Sequence, residues 1–150
     1  VTHVKAHGAL YNHGERNPAT ARNIIFGVQA ATGGHELVIV APPGSAMLKE
    51  ARDLGMKVAR EGFVDRAYEA DGTLQSRSIA GSVLTEPADA VRQALSFVKD
   101  GGVTAVDGSF LNLAVDTLCL HGDTAGAPDI AQAVRDALAE AKVKVAPFRF

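Results

Sequence analysis

Apolar residues gather in short continuous runs along this chain, and three of those runs end in polar clusters, at residues 4–12, 58–68 and 118–124. A strand covered by helices on both faces reads as such a run. The carboxyl ends of parallel strands converge on one rim, so polar groups at three strand ends point to one shared site. Between the runs the pattern alternates. Residues 1–7 read as a strand, after which Asn17-Pro18 caps and opens a helix through Ala21, Ile24, Ile25 and Val28 that stops at Gly33-Gly34. Residues 37–41 predict a second strand, and Ser45 caps a helix through Met47, Leu48 and Ala51 that ends at Gly55. Residues 57–60 form a third strand, and 70–82 is an irregular arm rich in Gly, Ser and Asp. Pro87 opens a helix through Val91, Leu95 and Val98, closed by Gly101-Gly102. Asp107-Gly108 sits between alternating runs 103–106 and 110–113, which predicts a hairpin. A strand at 117–120, a helix opened by Pro128 and a last short strand at 143–146 complete the pass.

Repeated strand–helix units predict an α/β fold with a parallel sheet. About four units fit into 150 residues, whereas a closed eight-stranded barrel takes roughly 250. The chain therefore reads as a single domain, residues 1–150, that is either a small open sheet or an incomplete barrel. It opens at Val1 almost directly in a strand, which reads as a segment of something longer.

Charge narrows the class of partner. A formal net charge of -2 and a pI near 6.2 leave no basic stripe for nucleic acid. The one cysteine, Cys119, lies in an apolar run and reads as an inert core thiol. Neither a signal peptide nor a spanning helix is evident, so a cytoplasmic setting with a small-molecule substrate and no membrane partner is expected.

The polar clusters supply the candidate chemistry. His7 and His121 titrate in the range useful for acid–base work, and Asp65 and Asp123 are neighbouring carboxylates. Lys5 and Arg66 are cations able to stabilise developing negative charge, and strand alternation places Lys5 on the face of His7. By the same alternation Asp123 would orient His121, the expected general base or acid. Asn12 and Glu61 are weaker candidates; Gly8, Gly62 and Gly122 suit tight turns or close ligand approach. If a metal is bound, His7 and His121 are its candidate ligands. No G-x-x-x-x-G-K-[ST] occurs, so a nucleotide site here is not a P-loop.

The motifs Lys5-Ala6-His7-Gly8-Ala9-Leu10-Tyr11-Asn12, Glu61-Gly62-Phe63-Val64-Asp65-Arg66-Ala67-Tyr68 and Leu120-His121-Gly122-Asp123-Thr124 resemble, in order, the signatures of the LamB/YcsF family. The resemblance implies a (β/α) barrel of the glycoside hydrolase/deacetylase type, present here as an incomplete barrel of parallel strands with outer helices, the larger C-terminal part of the family's barrel. It implies ATP-dependent opening of the cyclic amide 5-oxoproline to glutamate, with Mg2+, alongside the B and C subunits of a 5-oxoprolinase. Two departures stand out: Ala6 replaces the family's proline, and the family's Asp-rich opening strand and Cys-Gly-Phe-His-type segment are absent. Two other readings fit the residues less fully. One is a metal-dependent deacetylase-like hydrolase, suggested by Leu118-Cys119-Leu120-His121; the other is a non-catalytic metabolite-binding subunit.

Overall fold

A computed structural model describes residues 1–33 and 35–147, and these divide into two compact units, residues 1–61 and the described residues from 62 onward. The first unit holds strand β1 (His3–Val4), helices α1 (Gly8–Arg16) and α2 (Pro18–Thr32), strand β2 (Val38–Ala41), helix α3 (Ala46–Asp53) and most of strand β3 (Lys57–Phe63). Here β1, β2 and β3 pair in parallel, with Val4 beside Ile39 and Ile39 beside Val58. All four residues of β2 are buried, as a central strand of a helix-covered sheet requires.

Local chemistry sets the helix ends. The Asn17 side chain accepts from the Thr20 amide at 2.9 Å with Pro18 in the first turn, and Gly33 closes α2 at a left-handed φ of 56°. Gly34, the second half of the expected stop, lies outside the described residues. Ser45 caps α3 through the Leu48 amide at 3.3 Å.

The second unit begins at the end of β3 and adds the arm 70–82, helix α4 (Pro87–Leu95), a π turn (Ser96–Asp100), strands β4 (Gly102–Thr104), β5 (Phe110–Asn112) and β6 (Thr117–Cys119), and helix α5 (Ala127–Glu140). The β4–β5 pair is antiparallel around Asp107-Gly108, as expected. The Val64 amide donates to the Cys119 carbonyl at 3.0 Å, and β6 lies beside the end of β3. The core of this unit gathers Val64, Ala90, Ala94, Ile130, Val134 and Leu138, with α4 packed on α5. Parallel strands alternating with helices are the class the pattern predicts.

Three expectations change. The first strand covers only His3–Val4, and residues 8–16 are helical. Gly8, Asn12 and Gly14 disguise α1, since glycine and asparagine are poor helix formers. Gly14 is a packing contact there: a Cβ on it would stand 2.7 Å from Ile24 Cδ1 and 3.1 Å from Met47 Sδ. The last expected strand, 143–146, is irregular and half-buried to exposed. Finally, the helix opened by Pro87 changes to a π turn before Gly101, which brings buried Phe97 edge-on to Tyr68 at 5.9 Å.

Candidate functional site

In the second unit the polar residues converge on Asp65. This residue sits in the turn leaving β3, and its side chain is completely buried. A buried carboxylate needs donors for its oxygens. Asp65 has three: the His121 amide at 3.0 Å, the Thr124 hydroxyl at 2.7 Å, and His121 Nδ1, 3.0 Å from each carboxylate oxygen. A carboxylate only accepts, so the Nδ1 facing it carries the proton and Nε2 is left with its lone pair. Phe63 stacks on the imidazole at 5.5 Å and 11° between planes, fixing the ring's plane. The His121 side chain keeps 23% of its surface exposed, and its Nε2 has no hydrogen-bond partner among the described residues. A histidine held in one tautomer by a buried aspartate, with the other nitrogen accessible, can take a proton from water or a hydroxyl.

Asp123 is not that aspartate. Beyond β6 the chain turns at 122–125, so strand alternation stops before Asp123. Asp123 is exposed and pairs with Arg77 of the arm at 3.1 Å. The Arg77 hydrogen bond, then its charge, hold the Asp123 carboxyl below its ordinary range.

Arg66 is also committed elsewhere. It is buried, with Nε donating to the Ser82 carbonyl at 3.3 Å and Nη2 to the Gln75 carbonyl at 2.5 Å, which ties down the arm. Burial, and then the charge of Arg77, pull it below the usual guanidinium range. Gly62 is a close-approach glycine: a Cβ there would meet Val115 Cγ1 at 2.9 Å and Phe97 Cζ at 3.0 Å. Gly122 is exposed, with open space where a Cβ would stand.

In the first unit, Glu61 near the end of β3 is the organising carboxylate. It is 4% exposed, takes Lys5 Nζ at 2.7 Å on one oxygen and the Tyr11 hydroxyl at 2.8 Å on the other. Lys5 also lies 5.7 Å from the Tyr11 ring centre. The cation expected to receive an anion is thus already balanced by a carboxylate. His7 is exposed just before α1 and makes no side-chain cap bond; Gly8 follows at a φ of 59°, and Asn12 is an exposed residue of the helix.

Sequence reasoning missed Thr124, Arg77 and the central place of Glu61. A threonine three residues beyond a histidine carries no signal until a turn folds it back. Among the described residues no three His, Cys, Asp or Glu side chains group as metal ligands. In the His121–Asp65 pair Nδ1 and both carboxylate oxygens face one another, which leaves Nε2 as the accessible donor atom. No helix among the described residues is long and apolar enough to cross a membrane.

The sequence model of the LamB/YcsF family matches residues 1–150. The 5-oxoprolinase A subunit of Thermus thermophilus is 46% identical over 97% of this chain and 58% of its own length. That of Pyrococcus furiosus is 43% identical over 98% of this chain and 57% of its own. The crystal structure of a lactam utilization protein from Thermus thermophilus superposes with a TM-score of 0.89 at 43% identity, over 99% of this chain and 58% of that one. The chain thus spans somewhat more than half the length of these relatives.

Proposed function

This chain belongs to the LamB/YcsF family, and we propose that it is part of the A subunit of a 5-oxoprolinase, hydrolysing the cyclic amide 5-oxo-L-proline to L-glutamate. The observation that carries this reading is the His121–Asp65 pair, joined to relatives named as 5-oxoprolinase A subunits with 43–46% identity. An unstrained five-membered lactam reacts slowly with water, so the reaction needs a base to deprotonate the nucleophile. His121 Nε2 takes that proton. Asp65 holds the ring in the Nδ1–H tautomer and stabilises the imidazolium that forms. The same nitrogen then returns the proton to the leaving amine.

ATP as co-substrate with Mg2+, partnership with B and C subunits, and a cytoplasmic setting belong to the same proposal. The described residues show no cradle for nucleotide: the sequence has no P-loop, Arg66 is spent on backbone carbonyls, and Lys5 is paired with Glu61. No step through ATP is assigned to these residues.

The test is glutamate release from 5-oxoproline, with and without ATP and partner subunits, by a protein of the relatives' length. His121→Ala is expected to lower turnover by about two orders of magnitude or more. Turnover within a few-fold of wild type would remove His121 from the chemistry. His7→Ala is the companion variant, and a comparable loss would bring His7 into the mechanism.

A further inference from the structure

The turn that presents Asp65 spans residues 63–66, and its backbone is tied at each step. The Phe63 amide donates to the Tyr68 hydroxyl at 2.8 Å, the Val64 amide to the Cys119 carbonyl at 3.0 Å, and the Asp65 carbonyl accepts from the Leu84 amide at 2.9 Å. The carbonyls of Phe63 and Arg66, the two ends of the turn, both face one side chain from another element. Gln93 Nε2, on α4, lies 2.6 Å from the Phe63 oxygen and 2.7 Å from the Arg66 oxygen. A carboxamide nitrogen has two hydrogens, so each carbonyl receives one. Gln93 is half-buried and touches neither His121 nor Asp65 through any hydrogen bond among the described residues.

We propose that Gln93 is a positioning residue for the acid–base pair: by clamping both ends of the 63–66 turn it fixes Asp65, and through Asp65 the tautomer of His121. Asp65 must face one imidazole nitrogen with both oxygens while accepting from the Thr124 hydroxyl and the His121 amide. A small rotation of the turn would break that set, because hydrogen bonds weaken steeply away from linearity. Outer-shell partners that orient metal-ligating side chains matter by roughly tenfold to a hundredfold without touching substrate, and an effect of that order is expected where a backbone clamp orients Asp65.

This inference rests on the reading of His121 as the base, and its test separates the two. In the full-length protein, Gln93→Met keeps the side chain's length and removes both donors. The first readout is the ring-nitrogen 15N NMR spectrum of His121, which needs no substrate. Wild type is expected to show one tautomer with the proton on Nδ1, and the variant a mixture. The second is kinetics with partner subunits, where kcat should fall about tenfold or more with KM unchanged. A variant with the wild-type His121 spectrum and kcat within about twofold overturns the proposal. Should Gln93→Met fail to fold, the wild-type protein still decides: slow solvent exchange of the Gln93 carboxamide protons supports the clamp, and exchange as fast as an exposed amide overturns it. If His121→Ala keeps full turnover while Gln93→Met still scrambles the His121 tautomer, the reading of His121 as the base fails and the clamp on Asp65 stands.

Discussion

Asp65 shows how one buried carboxylate can define a site. Its oxygens hold four contacts from two residues, so Asp65→Asn should be more harmful than its size suggests. The amide would present a donor to a nitrogen that is itself protonated, favouring the opposite tautomer of His121. We expect a turnover loss of about two orders of magnitude or more with modest loss of stability, checked by kinetics and a thermal melt side by side. Asp123 gives the contrast. Arg77 depresses its carboxyl, so the contact is complete above the ordinary carboxylate range and is lost as pH falls through the depressed value in the folded state. Both groups are solvent-exposed, and salt screens such pairs, so Asp123→Asn should leave the melting temperature almost unchanged. Of the residues expected from sequence, His121 and Asp65 are brought together in space, while Asp123 and Arg66 turn outward or into the arm. Residue type and strand-end position were readable in the chain; which carboxylate meets which histidine was not. That choice depends on a turn fifty-six residues away in sequence, and no local periodicity encodes it.

At the level of elements, capping and punctuation were the most readable signals. Asn17-Pro18, Ser45, Pro87, Gly101 and Asp107-Gly108 mark ends that the structure keeps. Helix α1 was illegible because Gly14 looks like a breaker, yet it is a packing position where a Cβ would press on the side-chain ends of Ile24 and Met47. The π turn was illegible for another reason: it closes the helix at Gly101, so no later helical positions remain to reveal the shift of face by about 100° that an extra residue imposes. Its consequence is testable through Gly62. An alanine there would press on Val115 and Phe97, the ring that the π turn delivers, and should cost about 1–3 kcal/mol by overpacking. A denaturant titration of the full-length protein reads this directly; no loss of stability would show that Phe97 yields freely. In the same unit Ile130 of α5 is fully buried against α4 and Val64. Ile130→Ala should cost about 2–5 kcal/mol, with the His121 NMR tautomer retained in whatever fraction stays folded.

For the molecule as a whole, each unit carries a strand with one open side. Among the described residues β1 of the first unit pairs only with β2, and β6 of the second only with the end of β3. The buried strand β2 contrasts with β6, where Thr117, Leu118 and Cys119 are all only half-buried despite an apolar run. An edge strand with partly exposed apolar side chains favours further association. Large apolar side chains elsewhere add to this, including Phe26 and Phe110, which are 49% and 46% exposed. A polypeptide of residues 1–150 alone is therefore expected to bind an apolar-surface dye strongly and to self-associate as its concentration rises. A protein of the relatives' length, which this chain covers to 57–58%, is expected to do so much less. Dye fluorescence and sedimentation on the two polypeptides, at matched concentration, make the comparison. A lone 150-residue polypeptide that stays monomeric, melts in one sharp transition and binds no dye would show that these strand edges need no cover, because the side chains beside them already shield the backbone from a second chain.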